Sequence, residues 1–90
     1  MNAAQEQAQM MADSAQKMAN AWQSAAEAWG YAAEAAAFRN DWSAEAQRDA
    51  ARTTYAARRG DEEGADSARV DAMGSAHYAE EQREWCPREE

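Results

Sequence analysis

Residues 4–36 read AQEQAQMMADSAQKMANAWQSAAEAWGYAAEAA, and this stretch repeats every seven residues from end to end. Written as a heptad, its a positions are Ala8, Ala15, Trp22, Trp29 and Ala36, and its d positions are Ala4, Met11, Met18, Ala25 and Ala32. Small residues flank them, with Ala12, Ala19, Ala26 and Ala33 at e and Ala21, Ala28 and Ala35 at g. Gln9, Gln16 and Gln23 hold b, while Glu6, Asp13, Asn20, Glu27 and Glu34 hold f. Steps of four and three with polar residues on the far side are the signature of a helix built to lie against another helix. The pattern specifies packing rather than chemistry.

Working outward, helix-forming residues continue to Arg59 with Gly30 as the sole interior glycine, which costs about 1 kcal/mol relative to alanine. The heptad phase runs on through Ser43, Ala50 and Ala57 at a and Ala46 and Thr53 at d. That continuity predicts one long helix over residues 1–59. A break at 39–43 competes with it, because Arg39 falls at d and Asn40, Asp41 or Ser43 can each cap a new helix. Residues 60–64, Gly-Asp-Glu-Glu-Gly, predict a turn, with glycine ending one helix and acids opening the next. A second helix is expected over 65–85 on a stripe of Ala65, Ala68, Ala72, Ala76 and Ala79, followed by a frayed acidic tail at 86–90 around Pro87. The fold class is therefore all-α: an elongated alanine-rich helical hairpin or coiled-coil-like bundle.

The chain has no leucine or isoleucine and a single valine, Val70. So marked an omission, in a chain where alanine fills the gap, points to a designed or lineage-restricted sequence. With so little apolar mass, the large side chains are expected to make the core: Met11, Met18, Trp22, Trp29, Phe38 and Trp42 set into alanine holes. Replacing Trp22 or Trp29 by alanine would then cost about 3–5 kcal/mol. Because a, d, e and g are all small or apolar, one short returning helix cannot cover the first, and a second copy of the chain is the economical cover. The expected interaction face is Met11, Ala15, Met18, Trp22, Ala25, Trp29, Ala32 and Ala36.

The net charge is −8, unevenly placed. Residues 1–38 carry one base and four acids, 39–59 five bases and three acids, and 60–90 three bases and ten acids. This excludes a general nucleic-acid binder, which needs clustered Lys and Arg. It also suggests that the basic middle faces the acidic third segment, where exposed pairs orient more than they stabilise. The lone Cys86 cannot form an internal disulfide, no basic leader precedes an apolar run, and no window reaches the length of a membrane span. These features point to the cytoplasm.

Candidate chemistry is sparse. His77, with Glu80, Glu81 and Glu84, lacks the Glu-x-x-His pairing of a metal bundle, since Gly74 stands three residues before it. No nucleophile elbow or phosphate-binding glycine loop is present, and Trp85-Cys86-Pro87 is a thin match to a haem-binding Cys-Pro pair. No catalytic, metal or cofactor role is expected. Ala28-Trp29-Gly30 lacks the Trp-x-Gly turn of small secreted helical hairpins, and the phasin-like Ala/Gln/Glu run is common to any such heptad, so no family is assigned. The expected function is a non-catalytic helical module that associates with itself or a protein partner. The alternative is a small acidic inhibitor, similar in composition to antitoxins and anti-CRISPR proteins. Its Asp61, Glu62, Glu63, Asp66, Asp71, Glu80, Glu81 and Glu84 would then occupy a basic nucleic-acid-binding groove on a target.

Overall fold

The computed structural model describes residues 2–85, with side chains as far as Gln82. Three helices follow one another: α1 (Ala3–Ala36), α2 (Asp41–Arg58) and α3 (Glu62–Trp85). The described residues are otherwise short connections, and the tail at 86–90 lies outside them. α1 opens on a reciprocal cap in which Asn2 accepts the Gln5 amide at 2.8 Å and the Gln5 side chain accepts the Asn2 amide at 3.3 Å.

The continuous helix expected over 1–59 is two helices. The chain reverses at 37–40, where Arg39 takes a left-handed conformation with φ of 55°, and a second capping box restarts it. Asn40 accepts the Ser43 amide and the Ser43 hydroxyl accepts the Asn40 amide, both at 3.1 Å. The same two side chains tie the neighbouring helices: Ser43 Oγ donates to the Ala35 carbonyl at 2.6 Å, and Asn40 Nδ2 donates to the Ala79 carbonyl at 3.0 Å. Phe38 packs against the alanine core beneath this turn. Heptad continuity misled because an unbroken helix would leave its alanine ridges in water, whereas folding back buries them on both sides.

The second reversal is a glycine-terminated helix end. Gly60 has φ of 71°, its amide reaches the Ala57 carbonyl at 3.0 Å, and the Asp61 amide reaches the Ala56 carbonyl at 2.9 Å. Asp61 then caps α3 by accepting the Gly64 amide at 2.9 Å, so α3 starts at Glu62, three residues before the expected Ala65. A side chain at position 64 would collide with that Asp61 carboxylate, which is why glycine stands in a first turn.

The core is alanine. Ala28, Ala32, Ala35, Ala46, Ala50, Ala72, Ala76 and Ala79 form one buried cluster, and Ala21, Ala25, Ala56, Ala57 and Ala65 form another nearer the Gly60 turn. The continued heptad positions and the stripe expected on the returning helix are buried: Ser43, Ala46, Ala50, Thr53 and Ala57 on α2, and Ala65, Ala68, Ala72, Ala76 and Ala79 on α3. The large side chains do not make the core. Met11 is 66% exposed, Trp29 47%, Trp22 44%, Met18 40% and Trp42 37%; of the six residues expected there, only Phe38 sits partly buried against it. Ridges made of methyl groups let helices pack toward the close end of the usual 8–10 Å spacing, where an indole does not fit between them. The aromatics therefore lie over the rims, and the cost expected for Trp22→Ala or Trp29→Ala shrinks because half of each ring stays in water.

α1 has 34 residues, α2 18 and α3 24. At about 1.5 Å per residue α1 is about 51 Å long against about 27 Å for α2. α1 is thus nearly twice as long as the helix beside it, and every side chain from residue 2 to 20 is exposed. The radius of gyration is 17.6 Å, against about 12 Å for a compact chain of this length.

Candidate interaction face

α1 carries two seams. The buried one is Ala21, Ala25, Ala28, Ala32 and Ala35, the g and d positions of the heptad, rotated one residue from the expected a and d pair. Alanine occupies every g and d position from 21 to 35, whereas a includes Trp22 and Trp29, so close packing selects g and d. The second seam takes a and e: Ala8, Ala12, Ala15, Ala19, Trp22, Ala26, Trp29, Ala33 and Ala36, again in steps of three and four, and all nine are exposed. Successive helical residues differ by about 100°, so this face looks away from α3 and past the flank of α2.

The expected interaction residues divide between the seams. Ala25 and Ala32 are buried inside the bundle and unavailable to a partner. Met11, Ala15, Met18, Trp22, Trp29 and Ala36 remain on the outside. Trp29 is held in place: its indole Nε1 donates to Thr54 Oγ1 on α2 at 2.8 Å, while the residue stays 47% exposed. Beside it Trp29, Ala32, Ala33, Ala36 and Gln47 line a shallow groove of about 130 Å³ along the α1–α2 boundary. Met18 marks where the bundle ends, its methyl group lying beside Gly60.

The borders of the outer seam are uncharged. Gln9, Gln16 and Gln23 donate along their own helix to Asp13 (2.9 Å), Asn20 (2.9 Å) and Glu27 (3.4 Å), and Met11 and Met18 border the other side. On the side of α1 that faces α3, Asn20 donates to Glu62 at 2.6 Å and Glu27 lies 3.6 Å from Arg69.

The acidic residues of α3 are partly engaged at home. Asp61 caps its own helix, Asp66 pairs with Arg69 at 2.8 Å, Asp71 with Arg52 at 3.1 Å and Glu81 with His77 at 3.1 Å. Glu63 and Glu80 are exposed, and the Glu84 side chain lies outside the described ones. The basic middle meets the acidic third segment through Arg52 and Asp71 and, across the Gly60 turn, through Arg59 and Asp61, while Arg48 pairs within its own helix with Glu45. Among the described residues no group of three His, Cys, Asp or Glu side chains converges as metal ligands would, and none of the helices is long and apolar enough to cross a membrane. The Trp85-Cys86-Pro87 stretch extends beyond the described residues.

Asp49, which no motif or charge pattern singles out, is 2% exposed. It accepts the Ser75 hydroxyl at 2.8 Å and pairs with Arg52. Burial is the dominant influence and pushes its carboxyl above the ordinary value; the Ser75 bond opposes this, the Glu45 charge adds to it, and Arg52 again opposes it. With Trp42, Arg52, Asp71 and Tyr78 it lines an open cleft between α2 and α3, where the Trp42 and Tyr78 rings lie 4.9 Å apart. The available signal was an acid falling beside Ala46, Ala50 and Thr53 on the apolar stripe of α2.

Comparison with known proteins returns no relationship: no family model, no curated protein and no solved structure matches the chain.

Proposed function

We propose that this protein is a non-catalytic helical assembly module that joins copies of itself through the outer seam of α1. The observation that carries the reading is the length mismatch. The part of α1 before the bundle has no intramolecular cover, yet it continues an apolar seam instead of ending in a polar tail, and that seam runs on past Trp22 and Trp29 with neutral borders. Water-exposed alanine, methionine and tryptophan at regular heptad spacing gain burial when a second helix lies on them.

Sedimentation equilibrium across the micromolar range tests this. The expected mass rises above 9.9 kDa with concentration and holds at about 1 M salt, where the screening length is about 3 Å. A single glutamate on the seam, Ala19→Glu, returns it to the monomer mass without loss of helicity, because Ala19 is exposed in the monomer. A mass of 9.9 kDa at every concentration refutes the reading. Association that weakens steeply with salt while surviving Ala19→Glu refutes it as well, and assigns the contact to the acidic surface.

A further inference from the structure

Resting on that self-association, we infer that two copies pair antiparallel along the whole of α1, residue i of one copy facing residue 41 − i of the other. The register follows from the two halves of the helix. Its part without a buried residue, 3–20, and its bundled part, from Ala21, the first buried residue, to Ala36, are of similar length, so each exposed half lies on the bundled half of the other copy. In this register Ala19 faces Trp22, Ala12 faces Trp29, Ala15 faces Ala26 and Ala8 faces Ala33. Both indoles meet a methyl group, and no layer opposes two large side chains.

The competing parallel, in-register arrangement sets Trp22 on Trp22 and Trp29 on Trp29, which holds two alanine-faced helices apart. It also brings the two bundles side by side, although the segment from 60 to 90 holds ten acids and three bases in each copy. The antiparallel arrangement sends the bundles to opposite ends. Its borders stay neutral, with Gln16 near Gln23 on one side and Met18 near Ala25 on the other. Gly30 has open space around it and comes near Gln9 of the other copy, which admits that long side chain at the edge of the contact.

The area is sufficient. From Ala8 to Ala36 the seam is about 42 Å long, and a third of the accessible perimeter of a helix is about 14 Å wide, which gives about 600 Å² per copy. The total of about 1,200 Å² is at the lower bound of specific protein interfaces. That predicts a reversible dimer, sensitive to each seam residue.

Double electron–electron resonance between nitroxide labels distinguishes the geometries. Labels are placed at exposed Glu6→Cys or Lys17→Cys in the full chain with Cys86→Ser, after circular dichroism confirms that helicity is kept. Antiparallel pairing offsets the two Lys17 positions by about 10 Å along the axis and the two Glu6 positions by about 44 Å. The expected result is a short distance for residue 17 and a distance of about 45 Å for residue 6. Short distances at both sites, or any other pattern in a sample that sedimentation shows to be associated, overturn this register while leaving the assembly reading in place. No dipolar signal together with a monomer mass overturns both.

Discussion

Substituting leucine for alanine at position 50 and, separately, at position 51 gives the most direct measure of how this core works. Both residues lie in α2, both substitutions make nearly the same change in helix propensity, and both add the same three carbons. Ala50 is fully buried, in a cluster of eight alanines contributed by all three helices. Ala51, one residue and about 100° further round, is exposed. At position 51 the added carbons enter water, and the effect stays within about 0.5 kcal/mol. At position 50 they enter a space closed by methyl groups, so α2 must move away from α1 and α3 and loosen the contacts of Ala46, Ala72 and Ala76. Overpacking of this kind costs about 1–3 kcal/mol even after the gain from burying the new side chain. For a chain of this size about 2 kcal/mol lowers the melting temperature by about 8–16 °C. Thermal melts followed by circular dichroism at one protein concentration read the difference. If the two variants melt within about 2 °C of each other, or Ala50→Leu melts higher, the alanine ridges are not in close contact and the account of the core fails.

Two further outcomes follow from single positions. Arg39→Gly relieves a left-handed backbone that costs a side-chain-bearing residue about 1–2 kcal/mol, less the entropy that glycine loses on folding, so a net gain of about 0.5–1 kcal/mol is expected in urea unfolding; a loss of stability would show that the Arg39 side chain matters more than its backbone. Asp49→Asn tests the buried carboxyl. Its folded-state pKa is raised above 3.8, so its contribution is most favourable below about that pH and is lost as pH rises through the folded value. The wild-type protein should therefore lose stability relative to Asp49→Asn between acid and neutral pH, and a difference that does not vary with pH removes the claim that burial outweighs Arg52.

The patterns that proved legible were those that a single helix carries within itself. The alanine stripe of α3 and the Ser43, Ala46, Ala50, Thr53 and Ala57 stripe of α2 could be read from spacing, because period and residue size fix which face of a helix packs. The Gly60 turn was equally plain, since a left-handed helix end favours glycine. Asn40 and Ser43 were visible as caps, but capping competes with continuation of the helix. What decides is the bond from Ser43 to Ala35 and that from Asn40 to Ala79, which exist only once α1 and α3 lie beside the turn.

On its own, then, the sequence determined that this protein is helical, alanine-seamed and supplied with more apolar face than one neighbour can cover. The tertiary structure alone decided which seam goes inside. Both the g and d positions and the a and e positions of α1 satisfy the heptad, and the choice between them depends on the distance between helices. Methyl ridges on all three helices let the backbones close until an indole no longer fits, so Trp22 and Trp29 are left on the outward face, a consequence of packing that no period in one helix encodes.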